Sequence, residues 1–540
     1  MMLQYNHRPH YLLLFLLLIL LSASGCNQPS SPTPSAPAKT GEANVLTIGS
    51  TMKMENINID DYYFGIFRAI FTHQGLVKLS ESGQFSGDMA QSWESEDGKT
   101  WNFSLRPGLT WHDGQPLTAA DIKFTLEYHI AKSVEYRSHF ALIESIEAPD
   151  EQSLIITLSQ PNPRFLYNLL VLRVLPQHIF AAVDQPAAFN SPLAAIGCGP
   201  YVFHHFDAKG GLLTFIANPN YHRGPPVFPE VRIRLFKNPD TLQMALQKGD
   251  IDLTYTYSGG TDPVYAAALR QNPRIRLLQV PNLGVSKALI FNTSKTALAD
   301  SRVRQALSYA INYDELIRLF APVSGIIPTA GFIPPGTPGY TSTRPLSFSP
   351  EKAQQLLDLA GYTAIGDKIR EKEGQSLAFE IIVRNDIAEN IRIAELLQKY
   401  FRAVGVNMVI KLADSTLYRT ISDRDKSYTS LLARTTPWGM MMWAGMGSGY
   451  MDGRNIGWAM VTDTAFQSLV DQMNRDRLPA DYQQHAADLQ LYYAENLPAI
   501  ALYWDSFIQP TSVAITGWKI NPLYGVLNED SWYSIRRDPH

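Results

Sequence analysis

The stretch "KTWNFSLRPGLTWHDGQPLTAADIKFTLEYHI", residues 99–130, contains the patterns of a strand, a turn and a helix in succession. Every second residue from Trp101 to Leu105 is apolar, which predicts a strand with one buried face. The pair Asp113-Gly114 predicts a tight turn, and Thr118 with Asp121 three positions later predicts the first turn of a helix. The stretch therefore predicts a strand that is joined to a helix through an ordered turn.

Composition excludes several classes of protein. The chain has 540 residues, of which 45% are hydrophobic, and this length alone predicts about three to four domain-sized units. Its 46 Lys and Arg residues against 50 Asp and Glu residues give a formal net charge of -4, without the basic excess that a nucleic-acid-binding protein usually has. Aromatic residues make up 11% of the chain and charged residues 18%, which is typical of a folded protein. No nucleic-acid partner is expected.

Repeated helix start and stop signals indicate an α/β organisation. Residues 238–249 and 349–361 each begin with a capping residue followed by Pro, and each ends at a Gly. Residues 378–412 predict a strand, an amphipathic helix from Ile391 to Val404, and a second strand. A strand, a helix and a strand at this spacing form a right-handed crossover unit of an α/β layer.

The first 26 residues have the layout of a secretory signal. Arg8 precedes an unbroken apolar run from Tyr11 to Leu21, which is too short to cross a bilayer core that needs ~20 helical residues. Small residues then lead to Cys26, and this arrangement resembles a bacterial lipobox, in which the thiol becomes lipidated. The alternative is an ordinary signal with an incidental Cys. Residues 27–44 are rich in Ser, Pro, Thr and Ala, which predicts a flexible tether before the folded body.

The sequence lacks the common catalytic motifs. It contains no G-x-S-x-G, H-E-x-x-H, Walker A or G-x-G-x-x-G pattern. Gly197-Cys198-Gly199 superficially resembles a nucleophile loop, but the nearby His204 and His205 are adjacent on a predicted strand and point to opposite faces. A packed cysteine is therefore the preferred interpretation of Cys198. Neither enzymatic activity nor a bound cofactor is expected.

Four ordered blocks of sequence resemble one known family. They are the stretch at residues 99–130, "IGCGPYVF" from Ile196, "NPNYHRGPP" from Asn218, and "FNTSKTALADSRVRQALSYAINYDEL" from Phe291. Together they resemble the family 5 extracytoplasmic solute-binding proteins, the peptide/nickel class that serves ABC importers. The family usually has Thr where this chain has Cys198. The resemblance extends from Val45 to the C-terminus.

The resemblance implies an α/β fold of the periplasmic-binding-protein type II kind. Two lobes close on a ligand in the cleft between them, and an extra α/β domain is inserted in the first lobe. The chain crosses between the lobes twice, and the crossings form the hinge. The implied boundaries are a signal peptide at 1–26, a tether at 27–44, a first lobe at 45–85, 197–285 and 499–540, an inserted domain at 86–196, and a second lobe at 286–498.

Peptide-binding members of the family hold a peptide amine with an Asp in a W-x-x-D-Y-x-D-P type loop of the second lobe. The corresponding segment of this chain begins with Trp438-Gly439 and continues with three methionines, residues 440–442. The expected carboxylate is absent at that position, with Asp452 as a more distant substitute. The peptide-binding interpretation therefore stays open but is not preferred.

The nickel-binding branch of the family resembles this chain more closely. That branch carries an Arg shortly before a Trp in the inserted domain, where this chain has Arg137 and Phe140, and a second Arg where this chain has Arg173. Two guanidinium groups suit a chelator's carboxylates, since each forms bidentate charge-assisted hydrogen bonds. The structural alternative is that both arginines pair with nearby acids. The resemblance implies the following ligand-binding residues: Arg137, Phe140, Arg173, Arg434, Trp438, Met442 and Tyr450.

These features predict a receptor rather than an enzyme. The chain is expected to be a monomer, anchored to the outer side of a bacterial membrane by lipid on Cys26. It would capture an anionic nickel or other transition-metal chelate, adding no assigned metal ligand of its own, and deliver it to an ABC permease. The alternative ligand is a short peptide. A surface hydrolase is a distant alternative, disfavoured by the missing catalytic motifs.

Overall fold

The computed structural model describes residues 44–538 except 55, 60, 82, 133–136, 138, 163, 257–259, 295, 365–368, 436–460, 462 and 477. The predicted signal peptide with Cys26, and all of the tether except its last residue, lie outside the described residues.

The described residues form strands in six sheets. Their bounds are β1 Val45–Ser50, β2 Val77–Leu79, β3 Phe85–Gly87, β4 Ala90–Glu94, β5 Thr100–Leu105, β6 Ile143–Glu147, β7 Ser153–Leu158, β8 Tyr201–Asp207, β9 Leu212–Ala217, β10 Glu230–Leu235, β11 Leu253–Thr254, β12 Ile275–Pro281, β13 Lys287–Phe291, β14 Glu371–Lys372, β15 Gln375–Ser376, β16 Ala378–Arg384, β17 Asn407–Ala413, β18 Ser430–Ala433, β19 Ala499–Tyr503, β20 Ser506–Ser512, β21 Ile515–Thr516 and β22 Arg536–Arg537.

Helices alternate with these strands. Their bounds are α1 Tyr62–Phe67, α2 Ala119–Lys132, α3 Phe165–Leu169, α4 Gln177–Phe180, α5 Pro239–Lys248, α6 Pro263–Leu269, α7 Ser301–Ala310, α8 Tyr313–Phe320, α9 Pro350–Leu359, α10 Ala388–Ala403, α11 Ser415–Arg419, α12 Thr464–Arg475, α13 Pro479–Asn496 and α14 Glu529–Ser534. Within the described ranges, none of the helices combines the length and the apolar character needed to span a bilayer.

A seven-stranded sheet, which we call the first lobe together with its helices, has the strand order β12-β20-β11-β1-β10-β9-β8. Its central strand β1 runs parallel to β10 and β11. Phe71 stacks on Trp532 with ring centroids 5.0 Å apart, so a residue that follows α1 and a residue of α14 share one core. Residues far apart in sequence therefore build a single lobe.

A five-stranded sheet, the second lobe with its helices, has the order β17-β16-β18-β13-β19. The predicted strand-helix-strand unit is confirmed, because β16 and β17 pair in parallel on either side of α10. The helix begins at Ala388, three positions before the predicted Ile391. It ends at Ala403, one position before the predicted Val404, and Gly405 follows with a φ of 84° that favours glycine.

The four-stranded antiparallel sheet β4-β5-β7-β6, with α2 and α3, forms a third unit, the inserted domain. The strand, turn and helix predicted for residues 99–130 are all confirmed, as β5, the turn at Gly114 with a φ of 86°, and α2. At the start of α2 the Thr118 backbone amide donates a hydrogen bond to Asp121 Oδ2, at 2.9 Å. The first turn is therefore tied by the carboxylate of Asp121.

One predicted domain boundary differs from the structure. The segment 499–540 was assigned to the first lobe, but its first strand, β19, pairs with β13 in the second-lobe sheet. The chain returns to the first lobe only after Tyr503, because β20 is the strand that pairs with β12. Periodicity alone marks Ala499–Tyr503 as a buried strand without indicating which sheet it joins.

Candidate functional site

Two segments of the chain, which we call crossings, connect the first-lobe sheet to the second-lobe sheet. Both crossings run between the carboxyl edges of the two sheets. Strand β12 ends at Pro281 and β13 begins at Lys287, while β19 ends at Tyr503 and β20 begins at Ser506. Since β12 runs parallel to β11 and β19 runs parallel to β18, both crossings connect the carboxyl edge of one sheet to that of the other. Ligands of open α/β sheets bind at such carboxyl edges, so the gap bordered by the two edges is the candidate site.

A buried carboxylate ties the two crossings together. Asp505 Oδ1 accepts a hydrogen bond from Ser286 Oγ at 2.6 Å and another from Asn282 Nδ2 at 3.1 Å. Burial raises the pKa of Asp505, while these two bonds oppose the increase. Asp505 lies in one crossing and its partners lie in the other, so both crossings share one polar contact at the hinge.

Lys287 begins β13 beside this contact and carries a buried charge. Its Nζ lies 2.6 Å from Glu389 Oε2 and donates to Asn390 Oδ1 at 2.7 Å. Burial lowers the pKa of Lys287, and the Glu389 carboxylate opposes that decrease. Tyr503, at the end of β19, has a pKa raised by burial and by the same carboxylate. The hinge side of the gap is thus a compact, charged and hydrogen-bonded surface.

Two arginines lie at the same edge of the second-lobe sheet. Arg384 ends β16 and forms a two-bond contact with Asp386, at 2.9 Å and 2.5 Å. Arg434 is exposed and directly follows β18, which runs parallel to β16. The register of β13 against β18 places Lys287 next to Arg434. Three cationic residues therefore occupy one carboxyl edge, of which Arg434 was predicted as a ligand-binding residue.

Arg173, the second predicted arginine, lies in a different place. It lines a cavity of about 70 Å³ between the first lobe and the inserted domain, together with His73, Asp88 and Tyr524. Its Nη1 donates to the Leu170 and Leu172 carbonyl oxygens, at 3.0 Å and 2.6 Å, and its Nη2 donates to the Tyr524 hydroxyl. The guanidinium thus donates to three neutral oxygens, and its charge also opposes the increase in the pKa of Asp88.

Arg137 and Phe140 are not brought together with Arg173. Arg137 is exposed, and its guanidinium donates to the Ile130 and Ala131 carbonyl oxygens, each at 3.0 Å, at the end of α2. A cation at this position complements the helix dipole. Phe140 is 1% exposed in the core of the inserted domain. The structure thus gives both residues a role in the scaffold, in contrast to the predicted ligand contacts.

The remaining predicted site residues, Trp438, Met442, Tyr450 and the lipidation residue Cys26, lie outside the described residues.

A buried polar network lies beside the Arg173 cavity, and no sequence motif predicted it. Gln74 Nε2 donates to Asp88 and, at 2.5 Å, to the Tyr221 hydroxyl, which donates to Glu529 Oε1 at 2.9 Å. Glu529 is also paired with Lys78. Burial, assisted by the Glu529 charge, raises the pKa of Asp88 to about 6. Burial also opposes the ionisation of Glu529, but the attraction of its cationic neighbours is stronger, so its pKa is lowered. These residues are distant in sequence, so no local motif could reveal them.

Cys198 is a packing residue in the core of the inserted domain. It is 4% exposed, and its Sγ lies 4.0 Å from Met89 Sδ. Burial raises the pKa of the thiol to about 12, which leaves essentially no thiolate at neutral pH. Within the described residues, no group of three or more His, Cys, Asp or Glu side chains is arranged to hold a metal ion.

Comparison with known proteins identifies the family to which this architecture belongs. Residues 84–468 match the family described as bacterial extracellular solute-binding proteins, family 5 Middle. A putative ABC transporter peptide-binding protein of Brucella ovis is 30% identical over 348 residues, an alignment that spans 62% of this chain and 62% of that protein. The nickel-binding periplasmic protein of Escherichia coli is 29% identical, over 69% of this chain and 71% of its own.

A solved structure shows the same fold. The crystal structure of NikA from Brucella suis in complex with Fe(III)-EDTA has a TM-score of 0.79 and 20% identity, and it covers 92% of this chain and 100% of that one. The predicted α/β fold of the type II periplasmic-binding-protein kind is confirmed. The family consists of solute-binding proteins rather than enzymes, in agreement with the prediction. The chain belongs to the bacterial extracellular solute-binding proteins of family 5.

Proposed function

We propose that this chain is the substrate-binding component of an ABC importer, which captures a solute in the gap between its two lobes and delivers it to a permease. The observation that carries the proposal is the topology of the hinge, because both crossings connect carboxyl edges and leave those edges facing one gap. Ligand contacts to both lobes would favour the closed arrangement, since only a difference in affinity between two states shifts their populations.

The leading ligand is an anionic chelate of nickel or another transition metal, as substrate. The cationic side chains of Lys287, Arg384 and Arg434 at the second-lobe edge suit a carboxylate-rich chelator. Arg434 is exposed at this edge and is a ligand-binding residue that the family resemblance implies, so it is the residue we expect to contribute most to chelate binding. The similarity to a nickel-binding periplasmic protein supports this ligand class.

The family resemblance also assigns chelate contacts to Arg137 and Arg173. For these residues to contribute, both guanidinium groups must leave the carbonyl oxygens that hold them in this structure. The proposal therefore treats them as contacts formed on ligand binding, secondary to Arg434.

The alternative is a short peptide. A putative peptide-binding protein is among the relatives with 30% identity, and an extended peptide can pair its backbone with a strand edge. The half-buried Glu389 carboxylate is already paired with Lys287, at 2.6 Å. A peptide amine would need a different carboxylate, which makes the chelate the preferred ligand.

A direct titration tests the proposal. The chain lacking residues 1–26 is purified, examined by native mass spectrometry for bound ligand, and titrated by calorimetry with nickel plus L-histidine and, separately, with di- to pentapeptides. We expect saturable binding of the chelate. Replacing Arg434 by Ala should weaken this binding about tenfold or more, as for loss of a charge-assisted hydrogen-bond pair.

The matched control is Arg402→Ala, which removes an exposed arginine from α10 in the same lobe and should leave the chelate affinity unchanged. Tight peptide binding without any response to the chelate would refute the leading ligand in favour of the peptide. Failure of both ligand classes would refute both ligand assignments.

A further inference from the structure

A groove of about 380 Å³ lies among the helices of the second lobe. Its walls come from α7, α9 and α13 and from residues 343–344. None of the residues that line the groove belongs to a strand or to either of the two crossings between the lobes. The groove is therefore separate from the gap proposed for the transported solute.

Two cations meet over one aromatic ring in this groove. Lys352 Nζ lies 4.3 Å from the centre of the Tyr309 ring, and the Arg344 guanidinium carbon lies 5.7 Å from it. The ring is 8% exposed, so it forms part of the groove floor. Cation–π attraction holds each positive group near the ring, but it also brings two like charges close together.

Neither cation is neutralised by a described carboxylate. No Asp or Glu among the described residues lies within 4.0 Å of Lys352 Nζ or of the Arg344 guanidinium. Arg344 Nη2 donates to the Ala494 carbonyl oxygen at 3.1 Å, which is a neutral partner. Glu495 borders the groove, and its backbone oxygen accepts a hydrogen bond from Gln305 Nε2. Two cations and one carboxylate, that of Glu495, line the groove, so its net charge is positive.

Besides the polar residues Gln305 and Glu495, the groove has an apolar wall and a further donor. Leu356 is half-buried and Leu491 is 49% exposed, so hydrocarbon surface lies beside the two cations. Thr343 Oγ1 accepts a hydrogen bond from the Gly331 amide at 2.8 Å, which leaves the hydroxyl proton of Thr343 available to donate. Positive charge next to an apolar wall and an aromatic ring suits an anion that has a hydrocarbon part.

We propose that this groove is a second binding site, specific for a small organic carboxylate. The carboxylate accepts hydrogen bonds from Lys352 and Arg344, and its hydrocarbon part packs on Tyr309, Leu356 and Leu491. Binding relieves the repulsion between the two cations, which is the physical reason for the affinity. The site is independent of the transported solute and is predicted to be occupied in either arrangement of the lobes.

Benzoate is a suitable probe, because it combines a carboxylate with an aromatic ring. Binding of sodium benzoate to the chain lacking residues 1–26 is followed by saturation-transfer-difference NMR, with benzyl alcohol as the neutral comparison. We expect saturable benzoate binding and no comparable signal from benzyl alcohol. The double variant Lys352→Gln and Arg344→Gln should raise the dissociation constant for benzoate about tenfold or more.

The control is the double variant Lys399→Gln and Arg402→Gln, which removes the same two charges from exposed positions of α10 in the same lobe. It should bind benzoate like the unaltered chain. Equal weakening in both double variants, equal binding of benzyl alcohol, or no binding of benzoate to the unaltered chain would each overturn the proposal. Titration of the groove variant with the nickel chelate, which should be unaffected, separates this test from that of the transported solute.

Discussion

The Arg164 guanidinium lies 4.3 Å from the centre of the Tyr482 ring and joins the inserted domain to the second lobe. Arg164 precedes α3 and is 7% exposed, and Tyr482 belongs to α13. The Arg164 atoms Nε and Nη1 have no hydrogen-bond partner among the described residues. Burial lowers the pKa of Arg164, and Tyr482 and Asp476 only partly oppose this decrease. This contact crosses between two units by stacking rather than by a close ion pair.

The Arg164 contact makes an asymmetric pair of predictions. Arg164→Met replaces a buried, incompletely bonded cation by an apolar chain of similar length, so we expect stability to change by no more than about 1 kcal/mol. Tyr482→Leu leaves the cation buried without its aromatic partner and should cost about 2 kcal/mol. Urea unfolding of each variant measures the free energy of unfolding. If Arg164→Met proves the more destabilising of the two, the charge has a stronger partner than the ring.

Asp88 gives a prediction of pH dependence. Its pKa of about 6 in the folded protein exceeds the value of about 3.9 expected in the unfolded chain. The folded state therefore binds more protons between these values, and the Asp88 contribution to stability decreases as pH rises through about 6. Asp88→Asn removes this effect, so the variant should be more stable than the unaltered chain at pH 8, by about 1 to 3 kcal/mol, and should lose that advantage near pH 4.

Denaturant unfolding at pH 8 and pH 4.5 measures this difference. Glu529→Gln is the comparison, because it removes a carboxylate whose pKa is lowered by Lys78 and Arg223. That variant should be less stable at pH 8, the opposite sign to Asp88→Asn. A stabilisation by Asp88→Asn that is the same at both pH values would show that the carboxylate does not titrate in this range.

The Cys198 thiol should be unreactive in the folded protein. Its burial and its pKa of about 12 leave neither access nor thiolate for a disulfide reagent at pH 8. The chain lacking residues 1–26 contains Cys198 as its single cysteine, so Ellman's reagent reports on this residue alone. We expect no reaction within minutes in buffer and one full equivalent in 6 M urea. Rapid reaction without urea would contradict the packing role.

A substitution at Cys26 tests the predicted lipid anchor. Cys26→Ser removes the thiol that the predicted signal would present for lipidation, so the protein expressed in a bacterium should move from the membrane fraction to the soluble fraction. Labelling with tritiated palmitate should be lost in parallel. A Cys198→Ser variant is the matched control, and it should keep both the membrane location and the label. Equal labelling of the Cys26→Ser variant would exclude Cys26 as the attachment site.

Local patterns predicted local structure well. Asn238 and Gly249 were predicted to bound a helix, and the structure has α5 between them, with Asn238 Oδ1 accepting from the Thr241 amide at 2.9 Å and Gly249 at a φ of 80°. Ser349 likewise caps α9 through the Lys352 amide at 3.3 Å. These signals are reliable because capping is completed within one helical turn.

The direction of a long side chain could not be predicted in the same way. Arg137 has carbonyl oxygens at the end of the preceding helix α2 within reach, and those of Ile130 and Ala131 are the ones it contacts. The Lys78–Glu529 pair joins residues at opposite ends of the chain, and only the folded sheets bring them together. The sequence therefore indicates the arginines as candidates, while tertiary packing determines their partners.

The position of Leu253 has a consequence for how the protein is made. In the first-lobe sheet, Leu253 lies between Ile48 and Thr511, its partners in β1 and β20. The sheet therefore cannot be completed until almost the whole chain has been synthesised, and its long-range pairings favour slow folding. The first-lobe sheet of a nascent chain therefore stays incomplete during translation. Such a chain is suitable for a secretion channel that passes only unfolded polypeptide.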